Sequence, residues 1–204
     1  MIVIVDYGLG NLRAVLHKIK KVGGVAKISS KIEDIENADK IILLGVGSFA
    51  EGMKNLKQLG LLPVLTKKAM EEKVPILGIC LGMQLFTKWS EEGEIEGLGW
   101  INAKTKRFRV ERTNLKVPHM GWNSIIIKKD NPLLRGIQDK AWFYFVHSYH
   151  LDCEDEAIIS ATTHYGYEFP SIIMSNNLFG VQFHPEKSHK DGLTLLRNFV
   201  EIKC

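Results

Sequence analysis

The sequence predicts an α/β fold: an open, mostly parallel mixed sheet flanked by helices, with an antiparallel extension. Three observations carry that expectation. Residues 2–5, 41–44 and 75–79 are short apolar runs bounded by turn residues, the pattern of strands buried on both faces of a sheet. Helical periodicity alternates with these runs as far as Trp89, and strand–helix alternation is what builds parallel sheets. Beyond Trp100 the helical period gives way to short strand-like runs separated by turn residues.

Taken in order, the run from Ile2 to Val5 ends at Asp6 and a Gly8-Leu9-Gly10-Asn11 turn. Leu12, Val15, Leu16, Ile19 and Val22 then recur at helical spacing, and Gly23-Gly24 closes that helix. The second apolar run leads into Gly45-Val46-Gly47, and Pro63 suits the start of a helix through Lys73. The third run, opened by Pro75, is followed at once by a helical pattern from Leu81 to Trp89. In the second half, 123–128, 142–146, 158–163, 172–175 and 179–183 read as strands. Residues 191–201 read as a closing helix, with Leu193, Leu196, Phe199 and Val200 on one side. No repeat, low-complexity segment or linker interrupts 1–204, so a single domain is expected.

The chain has 204 residues, 45% hydrophobic and 25% charged, enough to bury most of its apolar surface in one core. Its net charge is +4, but acidic residues are interleaved almost everywhere, so Lys104, Lys106, Arg107 and Arg109 read as a solvated or docking face rather than a nucleic-acid stripe. The cysteines Cys80, Cys153 and Cys204 form no C-x-x-C pair, which points away from a disulfide framework and from a zinc site. His147 and His150 have only Asp152 and Cys153 as convincingly spaced partners and read as structural, so neither a metal nor a cofactor is expected. The first residues lack the basic segment and long apolar stretch of a signal peptide, and no segment approaches bilayer length. The cytoplasm is the expected compartment.

The first motif with chemical content is Gly78-Ile79-Cys80-Leu81-Gly82 at a strand-to-helix junction. Glycines two before and two after a nucleophile permit the tight turn that lifts a reactive atom above a sheet. A cysteine opening a helix feels the positive end of the helix dipole, which favours thiolate. The Leu81 amide, next in the chain, is a candidate oxyanion donor. The second motif is Gln182-Phe183-His184-Pro185-Glu186, at the end of an apolar strand. In an extended chain residues two apart share a side, so His184 and Glu186 are expected to project together, the carboxylate fixing the imidazole tautomer. Gly45-Val46-Gly47 is a third, weaker element, a turn able to aim an N–H at a developing oxyanion. Gly8-Leu9-Gly10 has Arg13 where a dinucleotide fingerprint needs its third glycine, so it reads as a plain turn.

These residues resemble one family. Gly78–Gly82, followed by Met83-Gln84, resembles the nucleophile segment of class I (triad) glutamine amidotransferases, and 182–188, reading Q-F-H-P-E-K-S, resembles their histidine–glutamate segment. More narrowly, the chain is similar to glutaminase subunits of imidazole glycerol phosphate synthases. That likeness is carried by 6–12 (D-Y-G-L-G-N-L), 45–49 (G-V-G-S-F), 96–100 (E-G-L-G-W), 117–123 (V-P-H-M-G-W-N) and 144–149 (Y-F-V-H-S-Y), and it covers nearly the whole chain. The resemblance implies a flavodoxin-like amidotransferase architecture. It casts Cys80 as nucleophile, His184 as general base and acid, and Glu186 as its orienting partner. It assigns the oxyanion hole to Leu81, Val46 and Gly47, and the glutamine contacts to Gly45, Gln84, Glu92, His147, Ser148 and Tyr149. The implied partner is a (β/α)8-barrel synthase subunit that receives ammonia through an internal channel, with 117–123 near the interface. One departure stands out: Leu44 occupies the place where the family's glycine turn usually begins with proline, so that peptide is expected to be freer and the isolated glutaminase less tightly silenced. The glutaminase residues leave two alternatives open: a paralogous subunit feeding another synthase, such as one making surface sugars, and a stand-alone γ-glutamyl cysteine hydrolase.

Overall fold

A computed structural model describes residues 1–110 and 114–203; Cys204, one of the three cysteines, lies outside them. The elements run β1 (Ile2–Val5), α1 (Leu12–Lys21), β2 (Ala26–Ser29), α2 (Ile32–Glu36), β3 (Lys40–Gly45), α3 (Phe49–Gln58), α4 (Leu61–Thr66), β4 (Ile76–Cys80) and α5 (Leu81–Gln84). They continue through β5 (Trp89–Ser90), β6 (Ile95–Glu96), β7 (Ala103–Arg107), β8 (His119–Ser124), β9 (Ile126–Ile127), β10 (Trp142–His147) and β11 (Tyr149–Cys153). The chain closes with β12 (Ile159–His164), β13 (Glu168–Ser175), β14 (Leu178–Val181) and α6 (His189–Glu201).

The main sheet has eight strands in the order β2-β1-β3-β4-β14-β13-β12-β9. Pairing is parallel from β2 through β14 and antiparallel from β14 to β9. The expected mixed sheet with an antiparallel extension is therefore what the chain forms. The apolar strands are continuous because alternate residues feed two cores. Ile2, Ile4, Ile42, Leu44, Leu77 and Ile79 pack with α1 and α6, whereas Val3, Val5, Ile41, Leu43 and Ile76 pack with α2, α3 and α4. Helix α1 starts where Asn11 Oδ1 accepts the Ala14 amide at 3.2 Å, the side-chain cap that an Asn ahead of an apolar stripe suggests.

Several elements differ from expectation. Strand β2 and helices α2 and α3 carry no clear apolar signature. Residues 26–28 are half-buried at a sheet edge, and each of the two helices buries only a narrow stripe. Pro63 sits within the first turn of α4 rather than at its start, and the helix opens after Gly60 in the left-handed conformation (φ 67°). Most consequential, the helix expected over 81–89 stops at Gln84. The carbonyls of Leu85, Phe86 and Thr87 instead accept amides of Leu98, Trp100 and Gly99 at 2.8, 2.9 and 3.0 Å. Residues 98–100 thus pair with the backbone of 85–87 where the helix would have continued. Periodicity in 81–89 recorded burial, with Met83, Leu85 and Phe86 all enclosed, rather than helix length.

Candidate active site

Strand β4 ends in a strained elbow. Cys80 has φ 53° and ψ −112°, a conformation that costs a non-glycine residue on the order of 1–3 kcal/mol and persists only where the surroundings dictate it. The bracketing glycines are required sterically. A Cβ on Gly82 would lie 1.7 Å from the Leu43 carbonyl oxygen, and one on Gly78 would lie 2.7 Å from the Met83 backbone. These contacts let α5 fold back against β3 and β4. With only four residues α5 supplies little dipole, so the expected contribution of a long helix to thiolate formation falls away.

Strand β14 runs parallel to β4, with Gly180 opposite Gly78 and Val181 opposite Ile79. Residues 182–184 therefore leave the sheet beside Cys80, although they are about a hundred positions away in sequence. His184 and Glu186 do meet, but not on an extended strand: Pro185–Lys187 forms a 3-10 turn that brings the carboxylate back to the ring. Glu186 Oε1 accepts from His184 Nδ1 at 2.8 Å, and both side chains are buried. The segment is pinned to β10, because the His184 amide donates to Tyr144 O at 2.8 Å and the Tyr144 amide donates to the Ser188 hydroxyl oxygen at 3.0 Å.

With Nδ1 committed to Glu186, Nε2 is the ring nitrogen left to exchange a proton. It has no partner at full hydrogen-bond geometry, yet Cys80 is close enough to act on it. Burial works against a charge on His184 and is the largest influence, but the Cys80 sulfur and the Glu186 carboxylate together outweigh it and raise the imidazole's pKa above its ordinary value. The arrangement favours a proton on the ring when the sulfur is anionic.

Cys80 opens onto a cavity of about 230 Å³. Cavities that hold drug-sized ligands span about 300–1,000 Å³, so this one suits a single amino acid. Val46, Gly47, Leu81, Gln84 and Glu92 line it beside the sulfur, and His147, Ser148 and Tyr149 form the opposite wall. His184 and Glu186 lie behind the sulfur, outside the cavity lining. Gly45 does not reach the cavity either. It is buried under Tyr7, whose hydroxyl would lie 2.2 Å from a Cβ there, so the position excludes a side chain. Leu44 is held in the ladder opposite Ile79, with its side chain fully buried next to Gly10, so any freedom in this turn begins at Val46, which is 47% exposed.

Two lining groups are partly committed already. Gln84 Nε2 donates to Tyr149 O at 2.9 Å and to Gln182 Oε1 at 3.1 Å, and Glu92 Oε2 accepts the Phe49 amide at 2.8 Å. The remaining Gln84 and Glu92 oxygens are the ends suited to a ligand's amino group. Sequence reasoning gave no site role to Pro118, Val146 and Gln182. Pro118 and Val146 line the cavity, the Cys80 thiol donates weakly to Val146 O at 3.9 Å, and Gln182 Nε2 lies 3.7 Å from the sulfur. Pro118 and Gln182 sit inside motifs that were legible, but their position beside Cys80 was not.

A histidine chain backs the far wall. His147 Nδ1 lies 2.7 Å from Tyr149 O, which can only accept, so His147 carries its proton there and Nε2 is left as an acceptor. His119 Nδ1 therefore donates to His147 Nε2 at 3.0 Å, and His119 Nε2 accepts from Asn123 Nδ2 at 3.2 Å. Burial pushes the pKa of both rings down, His119 to about 4. The wall is neutral. Among the described residues no cluster of His, Cys, Asp or Glu is arranged to hold a metal ion. A larger concavity of about 540 Å³, lined by His150, Cys153 and Glu168, holds no imidazole–carboxylate pair, and burial raises the Cys153 thiol to about 12. Chemistry rather than size makes the Cys80 cavity the candidate site.

Residues 3–202 match the family model for class-I glutamine amidotransferases. Among curated proteins, imidazole glycerol phosphate synthase subunit HisH 2 of Methanococcus maripaludis is 51% identical over 98% of this chain and 99% of its own length. Its namesake from Pseudomonas aeruginosa is 48% identical over 99% of this chain and all of its own. Among solved structures, one described as a glutamine amidotransferase superposes with a TM-score of 0.76 at 19% identity, covering 98% of this chain and 97% of that one. The glutaminase domain of Trypanosoma brucei CTPS superposes with a TM-score of 0.68 at 17% identity over 100% and 94% of the two chains. At these identities the structural matches speak for the fold alone.

Proposed function

The chain belongs to the class I glutamine amidotransferases, and from that premise we propose that it is the glutaminase subunit of an imidazole glycerol phosphate synthase, using Cys80, His184 and Glu186 to release ammonia for histidine biosynthesis. The observation that carries the chemistry is a cysteine on a strained elbow, backed by a buried imidazole–carboxylate pair and opening on an amino-acid-sized cavity. The pathway rests on the HisH relatives, which match end to end at about half identity.

In the mechanism, His184 Nε2 takes the Cys80 proton and the thiolate attacks the side-chain amide carbon of glutamine. Backbone donors at Leu81 and the Val46–Gly47 turn hold the oxyanion; losing one such donor typically costs about 3–4 kcal/mol of transition-state stabilisation. His184 then protonates the leaving nitrogen, and ammonia departs. Water activated by the same ring hydrolyses the γ-glutamyl thioester, which yields glutamate and restores the thiol.

Ammonia set free in neutral water would mostly become ammonium and lose its nucleophilicity, so a docked acceptor and a closed passage are required. The surface beside the cavity supports a docked partner. Strands β8 and β10 form a ribbon that places Met120, Trp122 and Trp142 at 66, 42 and 57% exposure, while Pro118 and Val146 of the same region line the cavity. Exposed aromatic and methionine side chains of this kind are enriched at interfaces. We assign this ribbon to a (β/α)8-barrel synthase subunit and the cytoplasm as the compartment. Among the described residues no helix is long and apolar enough to cross a membrane.

The decisive measurement is glutamine hydrolysis with and without the barrel subunit and its nucleotide substrate. Stimulation by the pair is expected. Full turnover alone, unchanged by the pair, would instead indicate a stand-alone γ-glutamyl hydrolase, and stimulation only by another synthase would indicate a paralogue. A second expectation concerns Glu186→Gln. The amide keeps the shape but removes the charge that offsets burial of His184, so the imidazole's pKa falls and its tautomer is no longer fixed. An equivalent amide swap lowers kcat about 10⁴-fold in a serine protease triad, and a loss of that order is expected here in the partner-activated assay. A kcat within tenfold of wild type would mean that Glu186 does not orient the base.

A further inference from the structure

We propose that Gln182 is a further catalytic residue: its side-chain amide, oriented by Gln84, donates an N–H to the Cys80 sulfur and favours the thiolate. The inference rests on Cys80 being the nucleophile, as above. Gln182 is completely buried and stands two residues before His184, so β14 delivers both to the same sulfur. Its Nε2 lies 3.7 Å from Cys80 Sγ, and its Oε1 accepts from Gln84 Nε2 at 3.1 Å.

The direction of these bonds is dictated from outside the centre. The Tyr149 carbonyl can only accept, so the Gln84 group 2.9 Å from it is the NH₂. The second N–H of that NH₂ then meets the Gln182 oxygen, which turns the Gln182 NH₂ toward sulfur. The opposite orientation of Gln182 would set NH₂ against NH₂ and leave a carbonyl oxygen facing the developing thiolate. Tyr149 O is itself held by His147, and His147 by His119 and Asn123, so the polarity is anchored on the wall of the cavity. Gln84 is thereby a positioning residue as well as part of the cavity lining.

An N–H aimed at sulfur stabilises the anion more than the thiol, because bonds to an ionised acceptor are the stronger kind. It complements the Val146 carbonyl, which can accept from the thiol but would repel the thiolate. The bland alternative is a buried amide that only fills space and is satisfied by Gln84.

Alkylation of Cys80 by iodoacetamide separates the two, because it reads thiolate without glutamine turnover. The rate at Cys80 is followed against pH on the full chain by mass spectrometry of the Cys80 peptide, which excludes Cys153 and Cys204. Gln182→Met keeps the length of the side chain and removes the donor. Its alkylation midpoint is expected to move up by about one pH unit, a tenfold loss of thiolate at a given pH, or about 1.4 kcal/mol. Gln84→Met, which frees Gln182 to rotate, is expected to move the midpoint in the same direction by less, and it carries the test if Gln182→Met does not fold. In the wild-type chain, the ¹⁵N-resolved side-chain amide protons of Gln182 are expected to shift with the same midpoint. An unmoved midpoint in a folded Gln182→Met or Gln84→Met variant, or amide signals blind to the titration, overturns the inference. A wild-type Cys80 with the midpoint of an ordinary thiol would instead undercut the nucleophile reading itself.

Discussion

Cys80→Ala is expected to lower glutamine hydrolysis by the partner-activated complex by about four to six orders of magnitude, the scale seen when a nucleophile is removed from a triad that acts as a unit. Stability is expected to change little. Alanine retains a Cβ, so the strain of φ 53° persists with or without the sulfur, and the sulfur makes only weak bonds to Val146 and Gln182. The comparison variant is Cys153→Ala. That thiol is held neutral by burial and lies in a concavity without an imidazole–carboxylate pair, so it is expected to leave turnover unchanged. Steady-state rates for both variants, with thermal melts alongside, check the pair. Retained activity in Cys80→Ala would remove the nucleophile from the account, and mass spectrometry of wild-type enzyme quenched during turnover should show the γ-glutamyl adduct on the Cys80 peptide alone.

Gly82→Ala is expected to be among the most damaging single-methyl additions in the chain. Its Cβ would stand 1.7 Å from the Leu43 oxygen and 2.5 Å from the carbonyl carbon. Leu43 cannot retreat, since it lies in β3, paired with Gly78 of β4 at the centre of the main sheet. Helix α5 cannot retreat either, because Gly78 and Gly180 give Met83 its close approach to the sheet. A loss above about 4 kcal/mol is expected, the range reserved for overpacking that no rotamer change relieves. Gly99→Ala separates this from conformational strain: φ is 67° there but no atom lies within 4 Å of an added Cβ, so a cost of about 1–2 kcal/mol is expected. Urea titration of both variants measures the difference. A Gly82→Ala midpoint near that of wild type would show that the elbow tolerates separation of α5 from β3.

Much of this protein is written in local pattern. The uninterrupted runs at 2–5, 41–44 and 75–79 announced strands buried on both faces, because residues that must satisfy two cores at once leave no polar alternation. The glycine bracket around Cys80 announced an elbow, because a chain that turns that sharply against its neighbours excludes side chains two residues either way. The spacing of His184 and Glu186 announced their pairing, although the 3-10 turn at Pro185–Lys187, not an extended strand, accomplishes it. Other features had no local signal. The helix expected at 81–89 ends at Gln84, where 98–100 pair with the backbone of 85–87, and Tyr7 packs so closely on Gly45 that a side chain is excluded there.

By itself, then, the sequence determined which segments are strands of a parallel core and which residue types carry the chemistry, since burial periodicity and turn geometry are properties of a few consecutive residues. Only the tertiary structure decided that β14 lies beside β4, that Gln182 and Gln84 hand an N–H to the sulfur, and that His147 stays neutral on the cavity wall. Those outcomes depend on which distant strands pack side by side and on hydrogen-bond polarity passed from one buried acceptor to the next, and neither is encoded in the spacing of neighbouring residues.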